Sequence, residues 1–402
     1  METRGIVIIG ASAAGVSAAR EIRAVDSSVP VKLFSEERDL PYYRPFLTEA
    51  IGDEGVEKRS GFLLNPEEWY EKNGIEVRRD EKVVRIDPGT REILTAGGER
   101  HSFGRCIIAT GSRPFVPFPD ALERENVFAV RTLRDATAVR ECAKRSTSAI
   151  VVGGGLLGLE AAHFLSAGGL AVTVVEASDR ILPRQLDPEC AEIACGIIEK
   201  HNVELVMGKT VESIMGEGRA TGLRLSTGDE LPADMIIFSM GVRPDVELAR
   251  DCGIRVERAI VVNERMETSL PGIYACGDVA EFKGRTIALW MPAVRQGKTA
   301  GSNAAGHPAV FEDDVYPAVL NLFGTRLFSA GDLCQERPEG EYRPCTEKDN
   351  EKGHYRKTFY IDDRLAGFIL IGNVSESKKL LDSMKKGVPA AGHPRSGRGK
   401  NG

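Results

Sequence analysis

A chain of 402 residues, 42% hydrophobic and 28% charged, is too long for one ordinary domain and has the make-up of a folded globular protein, which excludes disorder as a global state. Its formal charge of −6 argues against nonspecific nucleic-acid binding. No apolar run reaches the ~18 residues of a membrane helix, and the first strand-like run starts at Gly5, so no membrane association, no signal peptide and a cytoplasmic location are expected.

In chain order, residues 5–9 read as a buried parallel strand, followed by the turn Gly10-Ala11-Ser12-Ala13-Ala14-Gly15 and a small-residue helix over 16–24. Gly10 permits the tight turn and Gly15 a close approach of helix to strand. Ser12 is small enough for a pyrophosphate to reach the amides at the helix N-terminus. A second strand, Val31–Phe34, leads to Glu36, placed to accept ribose hydroxyls. Residues 75–100 alternate and carry the turn signals Asp87-Pro88-Gly89 and Gly97-Gly98, which predicts a β-meander.

The same grammar returns at 149–152, with Gly153-Gly154-Gly155-Leu156-Leu157-Gly158, a helix over 159–167, a strand over 171–175 and Glu176. A carboxylate there accepts the ribose hydroxyls and repels a 2′-phosphate, which predicts NAD(H) over NADP(H); Arg180 is the opposing signal. Cys106 to Pro114 is echoed by Ile236 to Pro244, and 203–231 repeats the meander. Duplicated dinucleotide units imply two dinucleotides with electrons passing between them. From Tyr316 the pattern changes to short strands, including 356–361 and 365–371, and 387–402 reads as a disordered tail.

Two further motifs carry a family resemblance. Thr268, followed by Ala275-Cys276-Gly277-Asp278, is similar to the second flavin motif of the pyridine-nucleotide:disulfide oxidoreductase superfamily. Ala109-Thr110-Gly111 looks like its strand-end motif over the first nucleotide. The resemblance spans about residues 4–372 and implies an α/β, glutathione-reductase-like, three-layer fold with two Rossmann-like domains and a small α+β C-terminal domain. The expected division is an FAD domain, 1–118 and 244–312, interrupted by an NAD domain, 119–243, with a cap or interface domain over 313–386. FAD and NAD(H) are the implied cofactors.

The resemblance also assigns roles. Asp278 would hydrogen-bond the ribityl chain, Arg131 would reach the flavin nucleotide, and the backbone of Val83 would meet adenine. A helix beginning near Pro292 would aim Ala293 and Val294 at the flavin, and Gly241 would lie near the nicotinamide. The segment from Pro41 to Glu49 is similar to that of NADH:rubredoxin oxidoreductases and of the flavin domain of NADH-dependent nitrite reductases, which sets Arg44 and Pro45 beside the flavin. Related ferredoxin reductases carry lysine where this chain has Glu49, facing a glutamate matched by Glu160; Arg44 is the arginine expected to separate these carboxylates.

The eight cysteines include no CxxC, and none precedes Cys106, so neither a metal site nor a redox disulfide beside the flavin is expected. The function implied is an oxidoreductase that takes hydride from NADH and passes electrons singly to a small iron or iron–sulfur protein such as rubredoxin or ferredoxin. The alternatives are a flavin subunit serving a nitrite-reductase-type partner, or an NADH-responsive partner-binding module. The cap resembles one that commonly serves dimerisation or docking, so a homodimer is possible; Lys378, Lys379, Lys385 and Lys386 read equally as solvated helix surface.

Overall fold

The computed structural model describes residues 5–387 apart from 339 and 350. Strand β1 (Ile6–Ile9), helix α1 (Ala13–Val25), β2 (Val31–Phe34), β3 (Ile75–Arg78) and β4 (Arg105–Ile108) open the chain. Then come β5 (Val127–Phe128), α2 (Leu133–Ala143), β6 (Ser148–Val152), α3 (Leu156–Ala167), β7 (Ala171–Glu176), α4 (Pro188–Ile198), β8 (Val203–Met207) and β9 (Met235–Phe238). Strand β10 (Ile273–Ala275) and α5 (Trp290–Ala304) follow. The chain ends with β11 (Ala318–Leu322), β12 (Thr325–Gly331), β13 (Arg343–Asp349), β14 (His354–Ile361), β15 (Arg364–Ile371) and α6 (Ser377–Lys385).

The first sheet has the order β10-β4-β1-β2-β3 and the second β8-β7-β6-β9-β5, both parallel throughout. β1 and β6, flanked on both edges and covered on both faces, are Ile/Val runs with almost no exposed surface, as central parallel strands require. β10 joins the first sheet although all of the second sheet lies between it and β4 in sequence. The echoed segments meet: Ser112–Pro114 pairs antiparallel with Val242–Pro244, Arg113 opposite Arg243. A third, antiparallel sheet, β11-β12-β15-β14-β13, carries α6. The α/β class and two parallel sheets with a small α+β unit agree with the sequence reading.

The differences are local. Each expected meander splits: β3 and β8 leave it to become the edge strands of the parallel sheets, and the rest forms the three-stranded sheets Val83–Asp87, Glu92–Thr95, Arg100–Ser102 and Val211–Met215, Gly222–Leu225, Glu230–Pro232. Alternation in 75–78 reflects an edge position with one exposed side, which period alone does not distinguish from a meander strand. Helices α1 and α3 begin three residues before the predicted starts, because Ala13 and Leu156 are helical directly after each turn. The segment expected to be a disordered tail lies outside the described residues except for Gly387. No helix among the described residues is long and apolar enough to cross a membrane.

Candidate dinucleotide sites

Between β1 and α1 the backbone leaves no space for a side chain. Gly10 has φ +109°, and a Cβ there would stand 2.1 Å from the Ala109 carbonyl oxygen; one on Gly15 would stand 1.9 Å from the Gly10 carbonyl. Ser12 occupies the N-cap of α1 but its hydroxyl caps nothing; it accepts instead from Arg44 Nε at 2.9 Å. The first-turn amides of α1 therefore keep their donor capacity for an incoming phosphate. Helix α5 lies backbone to backbone against α1: Cβ atoms on Gly297 and Gly301 would sit 2.2 and 2.4 Å from the carbonyls of Ala14 and Ala18. It too has an N-terminus without a side-chain cap, with Ala293 buried and Val294 half-buried in its first turn. Gly277, at φ +82°, donates its N–H to Gln296 Oε1 at 2.8 Å and faces Ala14 and Ala293.

Asp278 follows in the same turn. Its Oδ2 accepts from Ser112 Oγ (2.6 Å) and Arg131 Nη2 (3.0 Å), while Oδ1 has no protein donor among the described residues. Burial lowers the pKa of Arg131 and the Asp278 carboxylate raises it. Arg131 Nη2 lies 3.2 Å from where a Cβ on Gly111 would be, and Thr110 Oγ1 donates to the Asp245 carbonyl at 2.8 Å. So Ala109, Thr110, Gly111, Arg131, Gly277, Asp278 and the start of α5 converge on the open end of α1. Glu36 stands exposed past β2, 3.6 Å from Lys82 Nζ, and Val83 is buried at the head of its strand. The crevice fits a flavin dinucleotide: a glycine cradle, uncapped amides for the pyrophosphate and an unshared Asp278 oxygen for a hydroxyl.

The second turn repeats this construction. Gly153 has φ +118°, and its Cβ would stand 2.3 Å from the Ser239 carbonyl; one on Gly158 would stand 2.0 Å from the Gly153 carbonyl. Gly155 caps α3 with no side chain and faces open space, with Leu156 half-buried and Leu157 exposed beyond it. Glu176 turns back over the loop: Oε2 accepts from Gly154 N (2.7 Å) and Oε1 from Ser178 N (2.8 Å). Gly241, exposed at φ +88°, accepts from Phe115 N at 2.9 Å beside exposed Met240. This bare helix end, with an acid at the close of β7, fits a pyridine dinucleotide.

The two units meet through residues 44–49 and α3. Thr48 Oγ1 donates to Glu160 Oε2 at 2.8 Å. Burial raises the Glu160 pKa, Thr48 opposes that, and Glu49 adds to it. Arg44 is not the arginine between these carboxylates. It donates to Glu37 through Nη2 and to the Arg131 carbonyl through Nη1, with exposed Pro45 next to it. Arg59 pairs with Glu49 instead, and with Asp53 at 2.6 Å. The reason is reach: the short 3-10 turn Arg44–Phe46 aims the guanidinium back at the first nucleotide turn, whereas Arg59 faces the helical turn Glu49–Gly52. Sequence reasoning also missed Glu37 and Tyr42. Tyr42 donates to Glu37 Oε2 (2.6 Å) and accepts from Leu133 N (2.9 Å), and burial drives its pKa upward. Adjacency of Glu37 to Glu36 was the only available signal.

All eight cysteines are free, and Cys276 is buried, its thiol pushed up to about 12 by desolvation. One group among the described residues, Glu81, Glu99 and His101, has ligand atoms close enough for a cation. Arg78 already donates to both carboxylates (2.6 and 2.7 Å) and Lys32 Nζ lies 3.2 Å from His101 Nδ1.

The family described as Pyridine nucleotide-disulphide oxidoreductase matches residues 4–297. The chain belongs to this family. Proteins of this family are oxidoreductases that use FAD and NAD(H). Residues 317–388 match the Rubredoxin NAD+ reductase C-terminal domain. The chain is 33% identical over 96% of its length to an assimilatory nitrate reductase electron transfer subunit from Bacillus subtilis, and spans half of that protein. It is 30% identical to the NADH-rubredoxin oxidoreductase of Clostridium acetobutylicum, over 96% of both chains. The crystal structure of NADH:rubredoxin oxidoreductase from that organism superposes with a TM-score of 0.79 at 28% identity, covering 97% of each chain.

Proposed function

We propose that the chain takes hydride from NADH and delivers electrons one at a time to a small iron or iron–sulfur protein such as a rubredoxin or ferredoxin. FAD, when bound, supplies the conversion between two-electron and one-electron transfer. The carrying observation is the hydrogen bond from Thr48 to Glu160. It ties the segment whose Arg44 reaches Ser12 of the first nucleotide turn to the helix that opens at Gly155 of the second. Such a link sets the inner ends of two dinucleotides against each other, and alignment of this kind is the protein's main contribution to hydride transfer.

The remaining residues have parts in this reading. The amides of α1 and α3 hold the two pyrophosphates, and Asp278 with Arg131 fixes the ribityl side. The first turn of α5 offers dipole and N–H groups to negative charge gathering on the flavin ring. Glu36 and Glu176 take ribose hydroxyls, Glu176 thereby favouring NADH. The buried Cys276 thiol is no relay, since only a thiolate attacks a disulfide. One relative and the family matched by residues 317–388 carry rubredoxin in their names, which supports a small redox protein as acceptor.

Anaerobic mixing tests this. NADH bleaches the flavin, and a panel of rubredoxins and ferredoxins is then reduced catalytically. A preference of about tenfold for NADPH, ~1.4 kcal/mol, would contradict the role given to Glu176. A second reading, a flavin subunit serving a nitrate- or nitrite-reductase-type partner, is favoured by relatives of which the chain spans about half. Flavin bleaching with no carrier of the panel reduced would select it.

A further inference from the structure

We propose that Gln335, beyond β12 in the C-terminal part of the chain, is a positioning residue for nucleotide choice: it holds Arg180 away from the adenosine-ribose end of the second site and so keeps that site for NADH. The proposal rests on the reading of that site as the pyridine-nucleotide site.

Arg180 lies four residues past Glu176, and its neighbour Ile181 packs with Glu176 against Gly154 of the nucleotide turn. Its guanidinium is committed elsewhere. Nη2 donates to Gln335 Oε1 at 2.5 Å and Nη1 to the carboxylate of Asp179 at 2.8 Å, while Nε is buried without a partner. Asp179 is solvated, its side chain 82% exposed, and an ion pair of that kind holds weakly. Gln335 is exposed as well, but it is tied at its other end and so gives the direction. Its other end, Nε2, donates to the Leu186 carbonyl at 3.1 Å, so one side chain bridges Arg180 and Leu186 of the loop between β7 and α4.

That loop roofs the nucleotide turn. Leu182 N donates to the Gly154 carbonyl at 2.9 Å, and Ile181 Cγ2 lies 3.1 Å from where a Cβ on Gly154 would be. The far end of the loop is fastened from the same C-terminal sheet: Lys357 of β14 pairs with Asp187, the N-cap of α4, and with Glu189 at 2.8 Å. A 2′-phosphate at Glu176 therefore meets a carboxylate, with the Arg180 guanidinium tied off to Gln335 and Asp179. Released from Gln335, Arg180 has the planar, multiply donating head that pairs best with phosphate.

The test uses FAD-loaded protein and anaerobic flavin bleaching by NADH and NADPH, with no carrier present. Gln335→Ala raises the NADPH/NADH ratio of kcat/KM by about three- to tenfold, the size expected of one solvent-exposed hydrogen bond, mainly through a lower KM for NADPH. Arg180→Ala in the Gln335→Ala background returns the ratio to the wild-type value. Gln335→Glu gives up the bond to the Leu186 carbonyl for a charge pair with Arg180, and lowers it. A merely structural role for Gln335 would change stability and leave the ratio alone. An unchanged ratio in both Gln335 variants, or a gain that survives loss of Arg180, overturns the proposal. Should Gln335→Ala fail to fold, the Gln335→Glu arm alone decides. A wild-type flavin that NADH leaves oxidised overturns the nucleotide reading and this proposal with it; bleaching with a ratio indifferent to residue 335 overturns this one alone.

Discussion

Around the first glycine turn, Ala14 and Ala293 keep 6% and 5% of their surface and the Asp278 side chain 14%, whereas beside the second turn Leu157 keeps 54% and Met240 38%. Both turns have the same left-handed first glycine, the same close packing at the last, and the same bare helix end. What differs is the backing. Gly297 and Gly301 let α5 press onto α1, and Arg44, Gly277 and Arg131 close in from three other segments. At the mouth of α3 the β7–α4 loop packs on Gly154, but Gly155 faces open space. A duplicated unit has thus been built into an enclosed site, suited to a ligand that stays, and an open one, suited to a ligand that exchanges. Both helix ends are uncapped, whereas α2 and α4 are capped by Thr132 and Asp187; α6 is uncapped as well, so it is the glycine turn ahead of the bare end that sets the two sites apart.

The hardest test of this contrast is a methyl group at the equivalent glycines. Gly10→Ala forces a Cβ against backbone at φ +109° inside the enclosed site, and the purified protein is expected to lack flavin absorbance altogether. Gly153→Ala makes the same clash at the open site, and its product should retain flavin while losing reduction by NADH at least about a hundredfold, ~2.7 kcal/mol. If both variants lost flavin equally, the two sites would not be separable. Next in size is Asp278→Ala, which strips Ser112 and Arg131 of a shared acceptor. Flavin affinity should fall by about 1.5–3 kcal/mol, read by equilibrium release, with KM for NADH unchanged.

Much of this was legible because parallel central strands and glycine turns are local. The Ile/Val runs of β1 and β6, the spacing of Gly10 to Gly15 and of Gly153 to Gly158, and the acids Glu36 and Glu176 all follow from steric and burial rules within some thirty residues. The strand membership of 75–78 was not, since an edge strand of a parallel sheet and a meander strand share one alternation. Nor were the partners of charges. Arg44 reaching Glu37, Arg59 reaching Glu49 and Arg180 reaching Gln335 depend on how distant segments pack, and a long flexible cation carries no sign of its partner in the residues beside it. Arg44 was the reasonable candidate between Glu49 and Glu160 by proximity in sequence; the direction of one short turn reversed the assignment.

The smallest expected effect concerns the seam between the two sites. Glu160 is held at a raised pKa by burial and by the Glu49 carboxylate, with Thr48 the only donor it meets among the described residues. Arg59 attends to Glu49, and His163, one turn along α3, has its own pKa lowered by burial, so neither supplies a cation to Glu160. Below the ordinary carboxylate range the group is protonated in both folded and unfolded chains and carries no pH dependence. As pH rises through that range toward the raised value, the unfolded chain gives up its proton first, binds fewer protons than the native one, and gains stability relative to it. The wild type is therefore expected to lose stability across this window by ~1.4 kcal/mol for each unit of pKa elevation. Glu160→Gln keeps an acceptor for Thr48 and removes the titration. Melting of the FAD-loaded proteins should show the variant's advantage growing as pH rises out of the ordinary carboxylate range and levelling off above the raised value, and Glu49→Gln should shrink it. An advantage that is constant with pH would mean that the carboxyl is not the element under strain where the enclosed site meets the open one.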